Sequence, residues 1–339
     1  MNGSKRSWNR YWTLGSLAVI FAAAAAAMAI GRFTIAPKEL AAVLIPGSFP
    51  DVQVSGQVRT VISNIRFPRV VLALLSGAGL AAAGAAFQGL FANPLATPDT
   101  LGAANGASFG AVLGILLGLP AFGIQTLAMI TGVAAVLMAW SVARVRGTIP
   151  PLMVILAGMV VSSLFSALVS LVKYAADPQD VLPSITYWLM GSMASTTRTT
   201  LIMGAPFILA GSLLLFLLRW KLNTMSLPED EAKSLGIPVK RIRSLVILGA
   251  AMVTAAVVSM CGQIGWIGLL IPHMVRMIFG NDNRSVVPAS MASGALFMLI
   301  IDTAARSVMA TEIPVSILTS LIGAPCFILL LRKTGGIRL

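Results

Sequence analysis

Long uninterrupted apolar stretches decide the class of this chain before any motif does. A helix that crosses a bilayer needs roughly 20 mostly apolar residues. Ten runs approach that length: 11–31, 69–91, 101–119, 124–143, 151–173, 200–219, 244–263, 265–280, 286–304 and 313–331. They are continuously apolar rather than alternating, which selects helices over barrel strands. Charge is correspondingly scarce: of 339 residues, 24 are Lys or Arg and 11 are Asp or Glu, well under half the roughly 25% expected of a soluble domain. A water-soluble enzyme and a disordered chain are excluded, and two cysteines make no disulfide scaffold. The net charge of +13 does not point to nucleic acid, because a nucleic-acid binder gathers its basic residues on a polar surface and here they fall between apolar runs. The chain reads as an all-α integral membrane protein of about ten transmembrane helices, a compact bundle forming one domain over 1–339.

The first run follows Lys5, Arg6 and Arg10 and so has something of a signal peptide. Its length and the lack of a clear cleavage site favour a retained helix. Orientation follows from the loops, since cytoplasmic loops carry the excess of Lys and Arg. With the N-terminus inside, the inner segments hold sixteen of the 24 basic residues and the outer segments eight. Both termini are therefore expected in the cytoplasm. The connection 32–65 lies outside, and the connection 220–243 lies inside. In the latter, Ser226 is placed to cap a helix and Glu229, Asp230 and Glu231 fill its first turn, where the helix dipole favours acids. Gly236 and Pro238 stop it. A short amphipathic cytoplasmic helix is the expectation; a solvated loop is the alternative.

Gly102, Gly106, Gly110, Gly114 and Gly118 recur every four residues and predict close approach of two helix backbones. Gly77, Gly79, Gly84 and Gly89 form a similar small-residue segment. Prolines at Asn93-Pro94, Pro150-Pro151, Ile271-Pro272 and Ala324-Pro325 predict broken helices, which at membrane depth line a cavity or sit within protein. That leans toward transport over passive anchoring.

No G-x-x-x-x-G-K-[ST], H-E-x-x-H or G-x-S-x-G is present, so no nucleotide loop or hydrolytic motif is expected. His273 is the sole histidine and excludes a multi-histidine metal site. Cys261 and Cys326 read as packing residues. Asp302 and Glu312 are the acids nearest to spans, both at the outer end of the last hairpin. Ion-coupled carriers place carboxylates near the midplane, so an active transporter with this pattern draws its energy from a partner. At the outer side, Arg66 and Arg69 flank Pro68 at the start of the second span and share a face. Arg306 follows the ninth span. These arginines either snorkel to the interface or offer forks to the carboxylates of an external partner. Asp302 and Arg306, four apart, can also pair within their helix.

The stretch I-R-F-P-R-V-V-L-A-L-L-S-G-A-G-L-A-A-A-G-A-A-F-Q-G-L-F-A-N-P-L-A-T-P-D-T-L-G from Ile65 to Gly102 closely resembles the membrane permeases of type II ABC importers, which carry iron–siderophore complexes, haem or cobalamin. So do S-L-P-E-D-E-A-K-S-L-G-I-P from Ser226, G-Q-I-G-W-I-G-L-L-I-P-H from Gly262, and D-T-A-A-R from Asp302 through E-I-P-V to L-I-G-A-P at Leu321. The likeness covers nearly everything after residue 55.

The resemblance implies two permease copies, or a close paralogue pair, around a two-fold axis, with two ATPase subunits inside carrying the ATP. It also implies one substrate-binding protein outside and no enzymatic activity or resident cofactor on this chain. By the same resemblance, Arg66, Arg69 and Arg306 dock the binding protein. Ser226, Pro228, Glu229, Asp230, Glu231, Ser234, Leu235 and Gly236 form the segment that couples to the ATPase. Asn93, Leu95, Pro150, Pro151 and Leu152 lie at the cytoplasmic gates, and Met153 to Leu171 lines the path. The substrate ranking is iron–siderophore, then haem, then cobalamin, imported by alternating access across the inner (cytoplasmic) membrane. Two departures stand out: Gln263 occupies a family proline position and Ser316 a family glycine position. An ion-gradient-driven secondary transporter is the alternative, and a non-transporting scaffold is a third reading.

Overall fold

The structure, a computed structural model, describes residues 10–333 apart from 46, 48, 50, 145–149 and 228. Lys5, Arg6, Arg146, Arg338 and the coupling residue Pro228 thus lie outside the described residues. Every regular element among those described is helical: α1 (Arg10–Ala29), α2 (Pro37–Leu44), α3 (Gly56–Thr60), α4 (Phe67–Leu90), α5 (Ala103–Leu116), α6 (Ala121–Ala143), α7 (Pro151–Ala175), α8 (Val181–Leu189), α9 (Arg198–Leu222), α10 (Glu229–Ser234), α11 (Val239–Cys261), α12 (Ile267–Phe279), α13 (Asn283–Ser307) and α14 (Val315–Lys333). Each of the ten apolar runs falls on one of these helices. Seven helices are long and apolar enough to cross a membrane, while α5, α12 and α14 are shorter apolar helices. The short α2, α3 and α8 are additions that apolar length alone does not reveal.

Helix α4 is the axle of the bundle, packed by α9, α11, α12 and α13. In the most apolar stretch of Gly56–Leu90, and likewise in α11, 78% of residues are buried, against 11% in α1 and 28% in α7. Small residues make the central position attainable. A Cβ on Gly77 would meet Gly294 O of α13 at 2.2 Å, and one on Gly84 would meet Gly268 O of α12 at 1.8 Å. Of the every-fourth-residue glycines, the three within α5 behave as expected: a Cβ on Gly106 would lie 2.4 Å from Ala135 Cβ, one on Gly110 2.5 Å from Leu127 O and one on Gly114 3.2 Å from Ile124 Cα, so α5 and α6 touch along them. Gly102 instead precedes the helix and packs on α7, and Gly118 lies past its end with nothing within 4 Å.

The prolines correct one expectation. Asn93-Pro94 does sit in a turn, and Pro150-Pro151 starts α7 rather than interrupting it, with Pro150 at the cap position and Pro151 first in the helix, where proline's fixed φ suits the first turn. But Pro272 and Pro325 lie inside unbroken helices α12 and α14. A proline frees the carbonyl four residues earlier. For Pro272 this is Gly268 O, the atom packed against the bare Cα of Gly84, a close approach of the C–H···O kind. Tertiary packing thus accommodates the lost hydrogen bond without a break.

Candidate functional site

The N-terminal end of α4 carries a buried ionic cluster. A π-helical turn, Val61–Arg66, leads into α4, whose first turn contains Pro68. This sets Arg66 and Arg69 on the bundle side of the helix start, only 4% and 5% exposed. Arg69 Nε donates to Asp302 Oδ1 at 2.8 Å and its Nη1 to Glu312 Oε1 at 2.9 Å. Asp302, fully buried, also faces Arg306 Nε at 3.6 Å, the pairing four residues apart along α13. Arg66 donates to the carbonyls of Met28 (2.6 Å), Ala29 (2.9 Å) and Phe33. Arg306 donates to those of Ile30 (2.7 Å) and Ala27.

The last carbonyls of a helix lack intrahelical donors and carry the negative end of its dipole. Two guanidinium groups, one from the π-helical turn before α4 and one from α13, therefore cap α1. The fit is tight: a Cβ on Gly31 would sit 2.6 Å from Arg66 Nη2. All three sequence-predicted docking arginines are thus together at one end, turned inward. A carboxylate arriving from outside would have to displace these internal partners.

At the other end of the bundle, the connection after α9 makes a 3-10 turn, Asn223–Ser226, before α10 begins at Glu229. Ser226 ends that turn, with Leu227 and Pro228 between it and the start of α10. The predicted stop is where it was expected. Gly236 adopts φ +73°. Its N–H donates to Lys233 O at 2.9 Å and that of Ile237 to Ala232 O at 3.1 Å, the paired closure of a Schellman end, which favours glycine at the left-handed position. Ala232 is the buried contact of α10, while Asp230, Glu231, Ser234, Leu235 and Gly236 are exposed. Leu235 at 66% exposure and Leu227 at 39% present apolar surface beside these acids.

Asn93 and Leu95, expected at a gate, lie in the turn after Leu90. Asn93 Oδ1 accepts from Leu95 N at 2.9 Å, an Asx turn that leaves Leu95 42% exposed. Leu152, 66% exposed, begins an outward stripe on α7 that continues through Leu156, Val160 and Leu164, spaced to share one helix face. The two segments expected at the gates thus lie apart in the chain, one in the turn after α4 and one at the start of α7.

Sequence reasoning missed a polar relay between the connection after α9 and the turn at Asn93. Asn223 Nδ2 donates to Asp282 Oδ1 at 2.7 Å, and Asn223 Oδ1 accepts from Asn283 N at 2.8 Å and Asn283 Nδ2 at 2.9 Å. Asn283 Oδ1 in turn accepts from Arg276 Nη2 at 2.9 Å, and Arg276 reaches Ala85 O at 3.0 Å and Gln88 Oε1 at 3.3 Å on α4. A cavity of about 190 Å³ lies among Gln88, Asn93, Pro94, Arg276, Asn281 and Asn283. The Arg284 fork and the Asn223 amide hold the Asp282 carboxyl below the usual carboxylate range, against the opposing effect of burial. The available signal was Asn281-Asp282-Asn283, a polar island between two apolar runs and a good helix start.

Of the two family departures, Gln263 has a specific role. It lies in the link between α11 and α12, and its Nε2 donates to Asn105 Oδ1 at 3.1 Å and Ser108 Oγ at 2.9 Å on α5. Ser316 sits in the first turn of α14; nothing in the structure explains its replacing glycine.

A many-helix membrane bundle with a short closed helix between two long ones is the architecture of a multi-pass transport subunit, and its similarity to known proteins identifies it as an ABC importer permease of the inner membrane. The chain belongs to the FecCD transport family, whose model matches residues 17–333. It is 39% identical over 307 residues to the molybdate import system permease protein of Haemophilus influenzae, covering 90% of each chain. It is 37% identical to the cobalamin import system permease protein of Halobacterium salinarum, covering 81% of this chain and 74% of that one. It is 36% identical to the hemin transport system permease protein of Yersinia pestis, covering 80% and 82%. A solved inward-facing structure assigned to the metal-chelate type of ABC transporter superposes with a TM-score of 0.86 at 38% identity, covering 96% of this chain and all of that one.

Proposed function

We propose that two copies of this chain, or this chain and a close paralogue, form the pathway of an importer in which two ATPase subunits bind the cytoplasmic face and a substrate-binding protein docks outside. Ten spans with both termini inside complete this reading, supported by the two-to-one bias of basic residues. The observation that carries it is α10, a short helix closed at Gly236 with Asp230 and Leu235 exposed, in the connection expected on the cytoplasmic side. ATP binding by the partner moves α10; Asn223, Asn283 and Arg276 pass that movement to the turn at Asn93, while the exposed stripe of α7 faces the other copy across the path. Asp302 and Glu312 are engaged with Arg69, which argues against their serving as ion-coupling carboxylates and favours an energy source on another subunit.

Cysteines at Asp230 or Leu235 are expected to crosslink to the ATPase, and uptake to stop on ATP depletion. No crosslink at either position, with uptake surviving depletion, would sink the reading. At the outer face, docking competes with internal pairing. Arg66, held by neutral carbonyls, is the arginine a partner carboxylate recruits most readily. Arg66→Gln should weaken binding-protein association more at low salt than at high salt, and an unchanged salt dependence would remove Arg66 from the docking face.

The first substrate reading is an iron chelate, iron–siderophore ahead of haem and cobalamin. Molybdate is a second reading, favoured by the relative matched over 90% of both chains. The cognate binding protein separates them. An iron–siderophore charge-transfer band, a haem Soret band and a corrin spectrum are mutually distinct. Heat released on adding molybdate, with no visible band, would instead support the oxyanion.

A further inference from the structure

A groove of about 530 Å³ opens on the side of the bundle between α1, α9 and α13, floored by α4. Its volume lies within the roughly 300–1,000 Å³ of clefts that hold organic ligands. Thr13, Phe216 and Pro288 line one end, and Ile20, Leu209 and Ala295 line the other. From Thr13 to Ile20 is about 10 Å along a helix, the greater part of one leaflet's hydrocarbon depth. The walls are almost wholly apolar, and the hydroxyl of Ser16 turns back to Thr13 O at 2.9 Å.

Cations lie about one turn beyond the residues that line one end of this slot. Arg219, one turn beyond Phe216, lies 3.8 Å over the Phe216 ring and donates to Phe216 O at 2.6 Å. Among the described residues no carboxylate lies within ion-pairing distance of it. Arg284, one turn before Pro288, sits 5.1 Å over the Trp220 ring and pairs with Asp282 at 2.7 Å. Arg10 opens α1 on the same rim, exposed, and Trp220 is 58% exposed beside them. An apolar slot of leaflet depth, with guanidinium groups and an indole about one turn beyond one end, is complementary to one kind of molecule: an acyl chain carrying a phosphate. Basic pockets between membrane helices hold lipid phosphates in this way, and tryptophan marks the headgroup level.

We propose that this groove binds an anionic phospholipid, one acyl chain lying between α1, α9 and α13 and the phosphate held by Arg219 together with Arg284. By the orientation proposed above the lipid comes from the inner leaflet; the recognition chemistry is independent of that orientation. The lipid supplies packing that α1, poorly buried along its length, does not obtain from protein.

Native mass spectrometry of the detergent-purified chain, titrated with phosphatidylglycerol and with phosphatidylcholine of identical acyl chains, tests this. Phosphatidylglycerol should be retained severalfold better. Arg219→Gln should weaken phosphatidylglycerol by roughly fivefold, the worth of one basic residue near a membrane surface, and leave phosphatidylcholine unchanged. Leu213→Trp, placed in the groove wall, should weaken both lipids, and glycerol 3-phosphate should compete poorly. Arg284→Gln gives the same readout as Arg219→Gln if that variant does not fold. Equal retention of the two lipids overturns the proposal, as does undiminished phosphatidylglycerol preference in both arginine variants. Competition by glycerol 3-phosphate as strong as by intact lipid would mean a phosphate site without the groove. Loss of a dimer in Leu213→Trp with lipid binding unchanged would give the groove to a second copy of the chain.

Discussion

At its N-terminal end α4 places Arg69 between two carboxylates, whereas near its C-terminal end Arg276 of α12 reaches α4 through amide and carbonyl oxygens alone. The Arg69 guanidinium is enclosed, fixed by charge on two sides. That of Arg276 is half-buried beside a cavity of about 190 Å³, and none of the partners named for it carries charge. A buried ion pair with partners removed is left with an uncompensated charge, so the Arg69 cluster resists change in any one member. Neutral hydrogen bonds are individually modest and can be exchanged when a neighbouring element shifts. The difference separates a fixed end from an adjustable one, and the adjustable end is the one next to α10 and the turn at Asn93.

The largest expected effect lies at the fixed end. Asp302→Asn leaves Arg69 and Arg306 short of their shared counter-charge, and should cost about 3–5 kcal/mol, read as thermal unfolding in detergent. A loss below about 1 kcal/mol would mean that the cluster is not load-sharing in the way its geometry implies. Replacing both partners, Arg69→Met with Asp302→Leu, should be milder than Asp302→Asn alone, because apolar isosteres remove the buried charge with its partner.

The adjustable end should respond differently. Asn223→Ala removes bonds to Asp282 and Asn283 and should cost only about 1–2 kcal/mol of stability, yet lower transport per ATP hydrolysed in the assembled complex. Transport coupling equal to the unaltered chain would disconnect the relay from the gate. Smallest is the effect of acid on Asp282. Its carboxyl is held below its ordinary value, so its contribution is present above that ordinary value and is lost as pH falls through the depressed one. Asp282→Asn should therefore lower the melting temperature slightly at neutral pH, and the difference should vanish in acid. A gap that stays constant across that range would show that shape rather than charge matters there.

Much of this architecture was legible because a bilayer imposes simple rules on a chain. Apolar length located the ten long or shorter apolar helices, glycine spacing foretold the α5–α6 contact, and the acids at 229–231 with Gly236 marked α10. What escaped depends on through-space pairing. Arg69 meets Asp302 across 233 residues of sequence, and no spacing rule reports that; the Asp302–Arg306 pair, four apart, was within reach. Pro272 misled for the same reason, since whether a helix breaks depends on what packs against the freed carbonyl. The inner relay was hidden by composition: asparagines at a loop read as turn residues, and only the fold shows that Asn223 and Asn283 face each other.

The capping of α1 by distant arginines has a consequence for biogenesis. Ile30 O receives its donor from Arg306, 276 residues later in the chain, whereas Met28 O is served by Arg66 only 38 residues on. Helix α1, made before α4 and α13, therefore gains part of its end closure early and the rest only after α13 has entered the membrane. It precedes both of its fasteners in synthesis and waits for the later one.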